Sequence, residues 1–184
     1  MMNKKAARNA LFLDRDGVIN VERNYVHKIE EFEFIDGIFS LCRAAVKRGM
    51  LLVVVTNQAG IGRGLYTETD FWQLTQWMEE HFKREKAPIA KVYYCPFHPE
   101  FGIGGYRQNS PDRKPNPGML LRARDELEID LANSVMIGDK ESDMLAAAAA
   151  GIGKKLLLAE NDGASIEADA VCQSLADIQA LLFP

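Results

Sequence analysis

Five short apolar runs punctuate the chain: "ALFLD" from position 10, "LLVVVTN" at 51–57, "KVYYC" at 91–95, "SVMIGD" at 134–139 and "KLLLA" at 155–159. Each is nearly continuously apolar, the pattern of strands buried on both faces. Between them the period changes. Ile38, Leu41, Cys42 and Ala45 before Gly49, and Phe71, Leu74, Met78 and Phe82 after Thr67, recur at three- and four-residue spacing. That spacing predicts amphipathic helices, the first closed by a glycine and the second opened by a threonine cap. Strands alternating with helices predict a parallel sheet, wound by right-handed crossovers and covered on both faces: a doubly wound α/β domain.

The alanine run 146–150 predicts a close-packed helical face. Positions 96–115, "PFHPEFGIGGYRQNSPDRKP", form the one long irregular stretch, and a loop of that length in a compact domain is functional or needs a staple. No internal repeat or linker divides the 184 residues, so a single domain over 1–184 is expected.

Composition narrows the function classes. The chain is 47% hydrophobic and 26% charged, as soluble proteins are, and its net charge of -4 leaves no basic footprint for nucleic acid. No apolar run is long enough for a membrane span, and the basic start "MMNKKAARNALFL" leads straight into acids rather than through a signal sequence. Three widely spaced cysteines, Cys42, Cys95 and Cys172, argue against a disulfide framework and for a reducing compartment. A cytoplasmic monomer acting on a small molecule is expected, without nucleic-acid or membrane partners.

Ligands of doubly wound sheets bind beyond the carboxyl ends of the strands. Three of those ends are polar: "DRD", "TNQ" and "GDK". Asp14 and Asp16 together at one strand end repel unless a cation intervenes. Asp139 can add another oxygen, and an oxygen-only site suits Mg²⁺. Alone, Asp14 and Gly17 read equally well as a turn. "TNQAGIGRG" gathers a hydroxyl, two amides and three glycines that can surround phosphate oxygens, and Lys114, between Arg113 and Pro115 ahead of a helix, adds a cation. Singly these are ordinary strand exits and helix starts; their order argues for a site.

"LFLDRDGVIN", "VVVTNQAGIGRG", "RKPNPGML" and "VMIGDKESDM" resemble, in order, the four motifs of the haloacid dehalogenase superfamily of phosphatases, and together they cover most of the chain. "NYVHKIEEFEFIDG", the glycine loop and "RKPNPGML" are similar to the branch that removes the C7 phosphate of heptose 1,7-bisphosphates for lipopolysaccharide precursors, with histidinol-phosphate phosphatases nearest to it. The resemblance implies a Rossmann-like fold without a separate cap domain. It implies that Asp14 is the nucleophile and Asp16 the acid and base, and that Asp14, Asp139 and the backbone carbonyl of Asp16 hold Mg²⁺. Thr56, Asn57 and Lys114 would bind the transferring phosphoryl group. Glu22, Arg23, Asn24, Tyr25, Gln58, Ala59, Arg113 and Lys140 would face the sugar or its second phosphate.

One departure stands out. Members of this branch commonly tie the long loop with zinc, through a Cys-x-His pair and a later Cys-x-Cys pair. Here "CPFH" puts Phe97 at the ligand position with His98 one place late, and "SPD" supplies Ser110 and Asp112. Only Cys95 matches, a poor set for tetrahedral zinc, so no structural zinc is expected. Pro96, Pro99, Pro111 and the loop's own packing are expected to hold it instead. A phospho-aspartate signalling domain would share the sheet, the clustered acids, the threonine and the lysine. Asp16 argues against it, because an acid and base two places after the phosphorylated residue promotes turnover rather than persistence.

Overall fold

In the computed structural model, which describes residues 7–159 and 164–184, β1 (Ala10–Leu13) lies inside a six-stranded sheet. Its hydrogen-bonded neighbours are β2 (Leu51–Asn57) and β4 (Val135–Gly138). Beyond β2 lies β3 (Ile89–Cys95); beyond β4 lie β5 (Lys154–Leu158) and β6 (Ala170–Cys172). All pairs are parallel. The chain therefore winds outward one way through β2 and β3, returns, and winds the other way through β4 to β6. The reversal opens a crevice beyond the ends of β1 and β4.

The helices cover both faces, as the unbroken apolar runs require. Leu11, Leu13, Leu52 and Val54 pack with Ile38 and Leu41 of α1 (Ile38–Lys47), Phe71 and Met78 of α3 (Glu68–Arg84), and Ile178 of α6 (Leu175–Leu182). Phe12, Val53 and Val55 point the other way, toward Met119 and Leu120 of α4 (Gly118–Leu127) and Met144, Ala146 and Ala147 of α5 (Glu141–Ala150). Alternate residues of one strand thus feed two cores. The alanine run is the part of α5 that lets it lie close to β4 and β5. Thr67 caps α3, its side chain accepting from Asp70 N–H while Asp70 accepts from Thr67 N–H.

Expected and observed strands agree to within a few residues, but β6 is additional. It has three residues, one of them the exposed Val171, and pairs only with β5, so it carries no pattern of its own. Between β1 and α1 the chain forms one 3-10 turn, Ile29–Glu31, and isolated bridges at Asp16–Asn20 and Asn20–Phe34, so no cap domain is inserted there. A four-residue helix, α2 (Ala59–Gly62), follows β2. Among the described residues no helix is long and apolar enough to cross a membrane.

The long loop is held by hydrogen bonds. Ile103 N–H donates to Gly62 O at 2.8 Å and His98 N–H to Tyr106 O at 3.1 Å. Arg113 Nη1 donates to Phe97 O at 3.2 Å, Asn116 Nδ2 to Ser110 O at 2.9 Å, and the Tyr106 hydroxyl to Glu68 Oε1 at 2.9 Å. Phe12 lies at the junction of β1 with its two neighbours and is fully buried. Phe12→Ala is expected to cost about 3–5 kcal/mol in chemical denaturation, through lost transfer energy and the cavity left behind.

Candidate active site

β1 delivers Asp14 and β4 delivers Asp139 to the crevice, and the first turn of α5 adds Asp143. One oxygen from each carboxylate lies within 4.8 Å of the others. Asp14 is 6% exposed and Asp143 1%. The chain can turn this tightly after β1 because Gly17 has φ +90°, and a Cβ there would stand 2.3 Å from Asp139 Oδ2. The glycine of "DRDG" thus serves the turn and makes room for the third strand-end acid.

Lys114, 3% exposed, answers part of this charge. Its Nζ is 3.0 Å from Asp14 Oδ1 and 2.6 Å from Asp143 Oδ1, and donates to Val55 O at 2.8 Å. Burial favours the neutral amine, but the two carboxylates outweigh it and raise the pKa, so Lys114 stays an ammonium. Asn57 fixes the backbone beneath it: Nδ2 donates to Lys114 O and Oδ1 accepts from Lys114 N–H, both at 3.0 Å.

One buried ammonium does not balance three acids, and the exposed Lys140 adds only a contact of 3.8 Å from Nζ to Asp139 Oδ2. Burial pushes the Asp14 carboxyl up to about 7, with Lys114 pulling it down and Asp143, Asp139 and Asp16 pushing it further up. Asp139 is raised to about 6, again chiefly by burial. Asp139 Oδ1 is buried without a hydrogen-bond partner. A cluster of hard, crowded carboxylate oxygens with an unsatisfied atom fits a divalent cation that takes oxygen ligands.

Asp16 is held apart from this cluster. Arg15, buried and 1% exposed, donates to both its oxygens, with Nη2 at 2.9 Å from Oδ1 and Nε at 3.2 Å from Oδ2. Asn20 Nδ2 reaches Oδ1 at 3.1 Å and Gln58 Nε2 reaches Oδ2 at 2.9 Å.

A cavity of about 590 Å³ opens over these groups. Of the sequence-derived candidates, Asp14, Asp16, Glu22, Asn24, Tyr25, Asn57, Ala59, Arg113, Lys114 and Lys140 line it. Thr56 and Gln58 are buried and Asp139 is half-buried, and none of the three lines it; Thr56 Oγ1 accepts from Gln58 Nε2 at 2.8 Å. Arg23 turns outward to an ion pair with Glu33, both exposed, and does not line the cavity. Glu22 and Lys140 meet at 3.3 Å.

Asp143, Arg63, Tyr66, Phe101 and Ser142 also line the cavity without being sequence-derived candidates, as does His98, which the sequence offers only as a misplaced zinc ligand. Asp143 stood in view in "VMIGDKESDM", where its spacing three residues after Lys140 reads as a helix-start acid, and its Oδ2 does accept from Lys140 N–H at 3.1 Å. The Arg63 guanidinium lies 5.3 Å from the ring centroids of both Tyr25 and Phe101 and donates to the Tyr25 hydroxyl.

The chain is similar to known proteins over nearly its whole length. A HAD-hydrolase-like family model matches residues 112–178. A Burkholderia mallei protein named D-glycero-alpha-D-manno-heptose-1,7-bisphosphate 7-phosphatase is 53% identical over 92% of this chain and 90% of its own. An Escherichia coli K12 protein named as the corresponding beta-heptose enzyme is 50% identical over 92% and 91%. Among solved structures, a D,D-heptose 1,7-bisphosphate phosphatase from B. bronchiseptica, complexed with magnesium and phosphate, superposes with a TM-score of 0.82 at 26% identity, covering 95% of this chain and 97% of that one. A HAD-like phosphatase from Mesorhizobium loti reaches 0.85 at 33% identity, covering 95% and 85%.

The raised Asp139 carboxyl makes a stability prediction. Its folded-state pKa of about 6 lies above its ordinary 3.8, so ionising it costs the fold; the penalty is complete above pH 6 and gone below pH 4. In chelator, Asp139→Asn is expected to melt several degrees above wild type at pH 8, the gain shrinking toward zero as the pH falls to 4. Thermal melts of the two proteins across that range check it.

Proposed function

The chain belongs to the haloacid dehalogenase superfamily of phosphatases, and from that premise we propose that it hydrolyses the C7 phosphate of a heptose 1,7-bisphosphate through a phosphorylated Asp14. The observation that carries the substrate is identity of about one half, along nine tenths of the chain, to proteins named for that reaction.

The site's chemistry supports it. Asp14 attacks phosphorus, and Lys114, within 3.0 Å of Asp14, neutralises charge on the transferring group, a large part of catalysis for so slow a reaction. Asn57 aims Lys114 by gripping its backbone, and Thr56 closes the floor beneath. Asp16 gives its proton to the leaving sugar oxygen and later takes one from the water that attacks the phosphorylated Asp14. Asp14, Asp139 and the backbone carbonyl of Asp16 would hold Mg²⁺ beside Asp143, and bound Mg²⁺ would neutralise both the crowded acids and the phosphoryl oxygens.

Arg63, Arg113 and Lys140 line the same cavity beyond Lys114, giving a second phosphate cationic partners. Glu22, Asn24, Tyr25 and Ala59 complete the wall toward the sugar. Structural zinc is not part of this reading. Burial raises the Cys95 thiol, which opposes the thiolate that zinc needs, and His98 Nδ1 already accepts from Glu100 and Phe101 N–H at 3.2 and 3.1 Å. The enzyme works in the cytoplasm, as a monomer.

Phosphate release with Mg²⁺ tests the substrate, comparing both anomers of heptose 1,7-bisphosphate with histidinol phosphate and p-nitrophenyl phosphate. A kcat/KM for one heptose bisphosphate at least about 100-fold above the others is expected, the range that lost contacts to polar groups command. A preference for histidinol phosphate would overturn the sugar. Asp14→Asn is expected to reduce turnover to background while its thermal melt stays cooperative. Mg²⁺ is expected to raise the melting temperature of wild type more than that of Asp139→Asn.

A further inference from the structure

Gln58 and Tyr66 are built into the site more tightly than a substrate contact requires. Gln58 is 2% exposed, and its Nε2 donates both to Asp16 Oδ2 and to Thr56 Oγ1. The Tyr66 hydroxyl donates to Gln58 Oε1. Tyr66 reaches that point only because residue 60 is glycine: a Cβ there would lie 2.2 Å from Tyr66 Cε1. The His27 ring lies parallel to that of Tyr66 at 4.9 Å between centroids.

The two oxygens of Asp16 have different neighbours. Oδ1 is held by Arg15 Nη2 at 2.9 Å and by Asn20 Nδ2, which also donates to Val21 O at 3.0 Å. The closest partner of Oδ2 is the neutral Gln58 amide at 2.9 Å, with Arg15 Nε more distant at 3.2 Å. Arg15 can only donate, and Val21 O fixes Asn20 as a donor. Gln58 is fixed as a donor as well, because its Oε1 accepts from the Tyr66 hydroxyl and Nε2 is thereby turned to Asp16.

Resting on the reading of Asp16 as acid and base, we propose that Tyr66 and Gln58 are a positioning pair for Asp16: the Tyr66 hydroxyl holds the Gln58 amide with Nε2 toward Oδ2, and that amide holds the carboxylate in place for both roles. In the first step a bond forms from Asp14 to phosphorus, the bond from phosphorus to the sugar oxygen breaks, and the Asp16 proton passes to that oxygen. In the second, water oxygen bonds to phosphorus, the bond to Asp14 breaks, and a water proton returns to Asp16. Burial raises the Tyr66 pKa, which keeps it a neutral hydroxyl able to donate to Gln58 Oε1.

The test uses leaving groups. A sugar alkoxide needs the Asp16 proton to depart, whereas p-nitrophenolate leaves without one, and kcat/KM reports the step in which it leaves. Tyr66→Phe keeps the ring over Gly60 and removes only the hydroxyl. The ratio of kcat/KM on heptose 1,7-bisphosphate to that on p-nitrophenyl phosphate is expected to fall about 10-fold, one decade of what general acid catalysis supplies. Gln58→Met, which keeps the shape, should lower the ratio at least as far. An unchanged ratio in Tyr66→Phe, or equal losses on both esters, overturns the inference. Asp16→Asn separates the two levels: if it retained wild-type turnover of the sugar ester, the acid and base reading would fall along with the inference. If Asp16→Asn is inactive on that ester and the Tyr66→Phe ratio is unchanged, the inference alone falls.

Discussion

Three carboxylates and one ammonium share a space almost closed to water at the head of β1 and β4, and much of the surrounding structure follows from their imbalance. Lys114 can pair with Asp14 and Asp143 at hydrogen-bond distance, whereas Asp139 has only the exposed Lys140 Nζ at 3.8 Å from Oδ2 and its Oδ1 unpartnered. Burying ions this way is costly, and excess negative charge is tolerated where a cation is to be taken up. The same arrangement that weakens the unliganded fold suits the proposed chemistry on a dianionic ester, because Asp14, Lys114 and Asp143 are already buried and fixed.

Fixing them falls to contacts within the protein itself. Asn57 holds the backbone of Lys114 from the end of β2, Gly17 clears room for Asp139, and Arg15 spends its guanidinium on Asp16 and on Val26 O rather than on solvent. The loops around the cavity are braced in the same manner. Arg63 lies against Tyr25, from the loop after β1, and Phe101, from the loop after β3, so both walls lean on one side chain. Short loops thereby screen the site where no cap domain is present.

The inner strands were legible because burial on both faces leaves an unbroken apolar run, and α1 and α3 because one face repeats every three to four residues. β6 was not legible, since an edge strand of three residues needs no such run. The strand-end acids Asp14 and Asp139 announced themselves by position, whereas Asp143 looks like any acid in the first turn of a helix; only the approach of α5 to β4 shows that it faces Lys114. Arg63 and Tyr66 escaped notice because their roles arise between segments distant in sequence. Arg23 shows the converse: it stood among the substrate candidates, yet its charge is paired outside the cavity with Glu33, ten residues on.

The direct pairing of β1 with β4 has a consequence for how the gene can vary. Leu13 stands opposite Ile137, so Asp14 and Asp139 are placed by a ladder of three residue pairs rather than by adjustable loops. Side chains alternate along a strand, and gaining or losing one residue in either would turn its terminal acid to the opposite face. Length changes in these two strands are therefore barred independently of their effect on packing. The loops after β1 and β3 carry no such parity constraint, which leaves substrate choice free to diverge while the chemistry stays in register.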